Sequence, residues 1–88
     1  MSGVPTFNRG FRLRHDPVRA SWVVLGPERL FQLDDHAAEV LQLVDGRRTT
    51  DEIVAALAAK FAAPAEEIGT DVRAMLHDLS QRGVLTVT

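Results

Sequence analysis

The alternation of apolar and polar residues in the first third of the chain predicts a small antiparallel sheet. In residues 11–16, apolar side chains alternate with arginines, as in a half-buried strand. Residues 22–25 are apolar and rich in β-branched side chains, and a third apolar run lies at residues 29–33. The Gly-Pro pair at residues 26–27 predicts a turn between the last two strands, because proline fixes φ and lacks an N–H.

After the third strand, the spacing of apolar residues changes from two to three or four, which predicts helices. Asp34 or Asp35 is the expected N-cap of the first helix, and Gly46 is its expected end. Thr49 and Glu52 have the spacing of a capping box, so a second helix is expected to begin there.

The third predicted helix carries the longest apolar stripe in the chain. Pro64 suits its first turn and Gly83 its end. The stripe consists of Ile68, Val72, Met75, Leu76 and Leu79. The final run, residues 84–88, is expected to add a short strand beside the sheet or to pack back onto this helix. The predicted fold is α+β, with a three-stranded antiparallel sheet followed by three helices.

Length and composition indicate one small globular unit. The 88 residues are 45% hydrophobic and 25% charged, which fits a single folded domain. Residues 1–10 hold proline and glycine with little periodicity, so we expect a flexible N-terminal arm before a domain at residues 11–88. There is no cysteine, no signal-peptide pattern and no apolar run long enough to span a membrane, so we expect a cytoplasmic protein.

Charge is distributed unevenly along the chain. Residues 1–33 contain five arginines against Asp16 and Glu28, a net charge of +3, whereas residues 34–88 contain five basic and ten acidic residues, a net charge of −5. This asymmetry predicts two differently charged faces. It does not form the basic stripe that is typical of nucleic-acid-binding domains.

No combination of residues indicates catalysis. His15, His36 and His77 lack a second histidine or a cysteine at metal-ligand spacing, and the pairing of His36 with Glu39 on one helix face is better read as solvated surface. The serines lie in no nucleophile elbow, and the six glycines form no phosphate-binding loop. We therefore expect no enzyme activity, no cofactor and no metal.

Two binding functions compete for a chain of this kind. Arg47 and Arg48 could open a helix-turn-helix, as in a winged-helix DNA regulator, but the acidic residues of the third helix would repel a phosphate backbone. Alternatively, residues 29–33 form an edge strand beside the third helix, and an extended peptide adds there as a fourth strand. A second copy of the chain covering that edge, or fusion to a larger enzyme, remains open.

Several short motifs resemble the PqqD family of pyrroloquinoline quinone biosynthesis. The resemblance extends from Arg12 to Leu85 and includes the run RLFQLDDHAAEVLQLVDGRRTTDEIVAAL and the later run DVRAMLHDLSQRGVL. Its specific parts are the Pro27-Glu28 turn, the Asp45-Gly46-Arg47 break and the closing Gly83-Val84-Leu85. The chain departs from the family pattern at Gly26, before the turn, and at Gly69, inside the third helix.

The resemblance implies a winged-helix-like peptide chaperone, a RiPP recognition element without catalysis of its own. Such proteins bind the precursor peptide PqqA and deliver it to the radical SAM enzyme PqqE, which joins a Glu to a Tyr side chain. Their peptide groove lies between the third strand and the third helix. On this sequence the implied groove residues are Arg29, Leu30, Phe31, Gln32 and Leu33, opposite Val72, Arg73, Met75, Leu76 and Leu79.

Overall fold

The computed structural model describes residues 3–88 as an α+β domain with three helices and two antiparallel sheets. In chain order the elements are β1 (Pro5–Phe7), β2 (Arg12–Asp16), β3 (Ser21–Gly26), β4 (Arg29–Gln32), α1 (Asp35–Leu41), α2 (Thr50–Phe61), α3 (Ala65–Gln81) and β5 (Leu85–Val87). None of the helices in this part of the chain has the length and apolar character that crossing a membrane requires.

The predicted three-stranded sheet is confirmed, with the strand order β2-β3-β4. Leu13, Val24 and Phe31 lie opposite one another across the three strands, so their side chains share one face of the sheet. Val24 is completely buried, and Leu13 and Phe31 pack against the same core, which shows that this face meets the helices. The neighbouring residues therefore point to the opposite side of the sheet.

The N-terminal segment differs from the sequence-based expectation. Pro5–Phe7 are not a flexible arm: they form β1, which pairs antiparallel with β5 in a separate two-stranded sheet. Pro5 is fully buried, and the backbone carbonyl of Gly3 accepts hydrogen bonds from the N–H and hydroxyl of Thr50. Local composition misses this strand because its partner lies near the other end of the chain. The first two residues of the expected arm lie outside the described residues.

The helix boundaries follow their caps. Thr49 and Glu52 form the predicted capping box, with each side chain accepting the other residue's backbone N–H at 3.1 and 2.9 Å. Helix α1 ends at Leu41 and does not reach Gly46 as expected, because the N–H groups of Leu43 and Val44 bond to carbonyls three positions earlier. Gly83 has φ 78° and follows the end of α3, as predicted.

The hydrophobic core lies between the inner face of the central sheet and the three helices. Its buried residues are Val24, Val40, Leu41, Val44, Ile53, Val54, Leu57, Val72, Leu76, Leu79, Val84 and Leu85. The C-terminal run contributes Val84 and Leu85 to this core, while its strand pairs with β1 rather than with the central sheet. The core therefore fixes α3 relative to the sheet.

The loop after α1 is held by one exposed carboxylate. Asp45 Oδ1 accepts the backbone N–H groups of Arg48 and Arg47, each at 2.9 Å, and these bonds lower the pKa of Asp45 below its ordinary value of 3.8. Its contribution to stability is therefore present above pH 3.8 and is lost as the pH falls through the lower folded-state pKa. We expect Asp45→Asn to lower the unfolding temperature near neutral pH but not well below pH 3.8. The same difference in unfolding temperature between the wild-type protein and Asp45→Asn at neutral pH and well below pH 3.8 would contradict this.

Substitution by alanine is predicted to have opposite effects on stability at Gly26 and Gly69, the two glycines that depart from the family pattern. A Cβ at Gly26 would collide with the ring of Phe11, so Gly26→Ala is expected to destabilise the fold by about 1–3 kcal/mol. A Cβ at Gly69 would meet the exposed guanidinium end of Arg73 at 2.5 Å and Val54 at an ordinary 3.7 Å, so Gly69→Ala is expected to stabilise α3 by up to about 1 kcal/mol if Arg73 shifts. Chemical denaturation measures both, and destabilisation by Gly69→Ala would show that Arg73 cannot move aside.

Candidate functional site

Strand β4 presents an open edge, because residues 3–88 place no other strand beside it. The N–H of Leu33 donates to the carbonyl of Trp22 at 3.1 Å, which fixes the phase of the β3–β4 ladder. Backbone groups of an antiparallel strand alternate in direction, so Arg29 and Phe31 also bond toward β3. The N–H and C=O groups of Leu30 and Gln32 therefore point away from the sheet, where another strand can bond to them.

The side chains of β4 divide between two faces in the same alternation. Phe31 and Leu33 are half-buried and pack against the core. Arg29 shares their face, and its Nη1 donates to the carbonyl of Arg82 at 2.9 Å, joining the start of β4 to the end of α3. Leu30 and Gln32 lie on the opposite face, and Leu30 is 59% exposed. Only alternate residues of β4 thus face α3.

An open depression separates the start of β4 from the last turn of α3. It has a volume of about 600 Å³. The lining residues are Glu28, Arg29, Leu30, Phe31, Gln81 and Arg82. Both charged side chains and the apolar side chains of Leu30 and Phe31 therefore line the depression. We call the space between Arg29–Leu33 and the facing side of α3 the β4–α3 groove.

A smaller apolar hollow lies among α1, α2 and α3. Its volume is about 110 Å³, and most of its wall is apolar. It is lined by His36, Glu39, Val40, Leu57, Phe61, Ile68, Asp71, Val72 and Met75. Because Met75 precedes Arg82 by two helical turns, the hollow and the larger depression lie toward opposite ends of α3. Strand β4 and α3 therefore run in opposite directions along the groove.

The structure separates the α3 residues that were expected to line the groove. Val72, Leu76 and Leu79 are only 2, 2 and 7% exposed, so in this structure they belong to the core. Arg73 faces α2 instead, where its Nη2 contacts Asp51 Oδ1 at 2.7 Å. Met75 is half-buried and lines the apolar hollow. Of the five expected residues on α3, Met75 alone is both partly exposed and part of a surface near the groove.

Sequence reasoning missed the end of α3. Gln81 and Arg82 line the depression directly, and Asp78 holds Arg82 through an ion pair of 3.2 Å between Oδ2 and Nε. Residues 75, 78 and 82 share one side of a helix, since they are spaced by three and four. Counting three and then four residues onward from Met75 would have identified Arg82, but the expected groove residues on α3 were chosen mainly from its apolar stripe.

Residues 3–88 show no arrangement suited to metal chemistry. No group of three histidine, aspartate or glutamate side chains in this part of the chain could hold a metal ion. His15 instead packs against Trp22, with ring centroids 4.9 Å apart at an angle of 55°. The groove offers backbone hydrogen-bonding groups, apolar surface and exposed charges. This combination suits the binding of an extended peptide.

Comparisons with known proteins agree with this description. Residues 21–85 match the family model described as coenzyme PQQ synthesis protein D (PqqD). The chain is 50% identical over 82 residues to a PqqA binding protein of Rhodopseudomonas palustris (strain BisB5), covering 93% of this chain and 80% of that protein.

Two further similarities come from Methylorubrum (Methylobacterium) extorquens. The bifunctional coenzyme PQQ synthesis protein C/D is 48% identical over 84 residues, which are 96% of this chain and 23% of that longer protein. The solution NMR structure of the PqqD part of PqqCD, described as a stand-alone RiPP recognition element, matches with a TM-score of 0.81 at 47% identity. That match covers 94% of this chain and 88% of the other. This chain therefore belongs to the PqqD family.

Proposed function

We propose that this protein captures the precursor peptide PqqA as an additional strand on β4. The observation that carries the proposal is the outward direction of the Leu30 and Gln32 backbone groups beside the β4–α3 groove. Two such residues offer two N–H donors and two C=O acceptors to an incoming strand. The relatives named as PqqA binding proteins, and the NMR neighbour described as a recognition element, support this choice of ligand.

We propose two roles for the peptide's side chains. Alternate residues of an added strand point to opposite faces. One set would enter the groove beside Phe31 and Met75, where apolar residues gain most from burial, and Arg29 and Arg82 would lie near peptide carboxylates. The other set would lie beside Leu30 and Gln32. Backbone bonds thus supply affinity, and the groove supplies selectivity.

The second part of the proposal is delivery of the captured peptide to PqqE. An adaptor that binds both peptide and enzyme raises the effective concentration of the peptide at the catalytic site without catalysis of its own. The fused C/D relative supports an accessory role, because there the same domain lies in one chain with another biosynthetic protein. In this scheme the protein has no cofactor and acts by positioning its ligand.

We also infer that the domain is winged-helix-like, with the central sheet and α1–α3 forming a peptide-reading rather than a DNA-reading unit. The acidic surface of α3, with Glu66, Glu67, Asp71 and Asp78, supports this choice because it opposes binding of a phosphate backbone. Domain boundaries at residues 11–88 are extended in this proposal to include β1, which closes the second sheet with β5.

The test has two steps and uses synthetic PqqA and purified PqqE. Calorimetric titration with synthetic PqqA is expected to show one-to-one binding, and a peptide of the same composition in scrambled order is expected not to bind. Glu–Tyr cross-linking of PqqA by PqqE is then expected to require this protein. Absence of binding by a demonstrably folded protein would overturn peptide capture, whereas binding with unchanged cross-linking would overturn only delivery.

A further inference from the structure

We infer that the outer face of the central sheet is the surface on which the peptide-modifying enzyme docks, through carboxylates and an apolar anchor. This face is the side turned away from the helices. Its residues are Arg12, Arg14, Asp16, Ser21, Val23, Leu25, Leu30 and Gln32, as the cross-strand register requires. The inference rests on the proposed function for the identity of the partner, but it concerns the opposite side of β4 from the β4–α3 groove, with Leu30 shared between the two depressions.

The outer face is apolar at its centre. Leu30 is 59% exposed and Leu25 is half-buried, whereas Val23, between Arg14 and Gln32 across the strands, is only 7% exposed. A depression of about 320 Å³ on this face reaches from Arg14 to Leu30. Such a concave apolar centre with a polar border resembles the core and rim of a protein interface.

The border of this face carries three arginines and one carboxylate, Asp16, which also lines the depression. Arg12, Arg14 and Arg19 are exposed, and none of them forms an ion pair with another residue of the described chain. The nearest acid in sequence, Asp16, directs Oδ1 to the backbone N–H groups of Val18 and Arg19 at 3.0 and 3.3 Å. The guanidinium groups therefore remain available, and their fork geometry matches carboxylates.

The unpaired arginines match a partner surface that carries carboxylates. The apolar residues match a protein partner, which nucleic acid is not. A phosphate backbone would use the arginines but would leave Leu25 and Leu30 without a partner. Position favours the enzyme in particular. A peptide strand added to β4 extends this same face by one strand, so half of its side chains would lie next to Leu30 and Gln32. An enzyme resting on the outer face would contact the captured peptide directly.

Distance allows enzyme docking and peptide capture to be measured separately. Arg12 and Arg14 lie on β2, two strands from β4, so they are about 10 Å from its backbone and about 15 Å from an added peptide strand. The test variant is Arg12→Glu/Arg14→Glu, and Arg47→Glu/Arg48→Glu, at two exposed arginines outside the sheet, is the control with the same change of net charge. Circular dichroism first establishes that each variant is folded.

Two binding measurements then decide the inference. PqqA titration is expected to give the same affinity for the wild-type protein and all variants. Binding of immobilised PqqE to each protein, measured with and without PqqA, is expected to weaken by about tenfold or more in Arg12→Glu/Arg14→Glu, and much less in Arg47→Glu/Arg48→Glu. If PqqA does not bind but PqqE binding still weakens in the double variant, peptide capture is wrong and enzyme docking on the outer face is retained.

Three results would overturn the inference. One is equal PqqE affinity for the wild-type protein and Arg12→Glu/Arg14→Glu, and another is no PqqE binding to the wild-type protein. The third concerns nucleic acid, tested with a fluorescent DNA duplex over a salt series. Duplex binding that is steeply salt-dependent and abolished by the double substitution would assign the arginines to phosphate contacts instead.

Discussion

Gln32→Pro is expected to weaken PqqA binding by about tenfold or more while leaving the domain folded, because it removes an outward N–H and leaves a peptide carbonyl without a partner. The N–H of Gln32 points away from β3, so proline removes no bond of the existing sheet. An edge strand accepts proline at such a position. The preceding residue, Phe31, already has the extended backbone that a following proline favours.

Gln32→Ala is the matched control for this substitution. It removes the same side chain, which lies on the outer face, but it keeps the backbone N–H. Calorimetric titration of the two variants with PqqA is expected to show near-wild-type affinity for alanine and weak binding for proline. Equal affinities for both variants would mean that the peptide does not bond to the edge of β4 at Gln32.

Leu76→Ala is expected to lower the free energy of unfolding by about 2–5 kcal/mol, because its truncation leaves a cavity in the core. Leu76 is 2% exposed and packs with the buried residues of α2 and the sheet. In a domain of this size such a loss is a large share of the total stability. Peptide binding would then fall through unfolding, without any contact between Leu76 and the peptide. Urea denaturation monitored by Trp22 fluorescence measures the change.

Met75→Ala distinguishes a groove residue from a core residue on the same helix. Met75 is half-buried and borders the apolar hollow, so its truncation is expected to cost less stability than Leu76→Ala. Under conditions in which both variants are folded, Met75→Ala is expected to lose more affinity for PqqA than Leu76→Ala. The opposite order would assign Leu76 to the ligand and Met75 to the core.

Local patterns were sufficient to predict the central sheet and the three helices. Alternation placed β2, the Gly26-Pro27 pair placed the hairpin before β4, and the Thr49–Glu52 capping box placed the start of α2. Each of these signals depends on residues that are close in sequence, so each can be read from the chain directly. The strand and helix on either side of the groove were consequently predicted at the level of whole elements.

The remaining features depend on contacts between distant parts of the chain. Strand β1 exists because β5 pairs with it, and the short segment around Pro5 carries no periodic signal of that pairing. The apolar stripe of α3 cannot show which of its members face the core, so Leu76 and Leu79 were expected in the groove together with Met75. Arg73 was expected there too, but its ion pair with Asp51 turns it toward α2.

Residue-resolved amide hydrogen exchange, measured with and without PqqA, tests peptide capture at β4 most directly. The outward amides of Leu30 and Gln32 are expected to exchange rapidly in the free protein and to become protected in the complex. Leu13 and His15, the outward amides on the opposite edge of the sheet at β2, are expected to remain unchanged. Protection of the β2 amides, or no new protection at Leu30 and Gln32 in a saturated complex, would contradict capture of the peptide by β4.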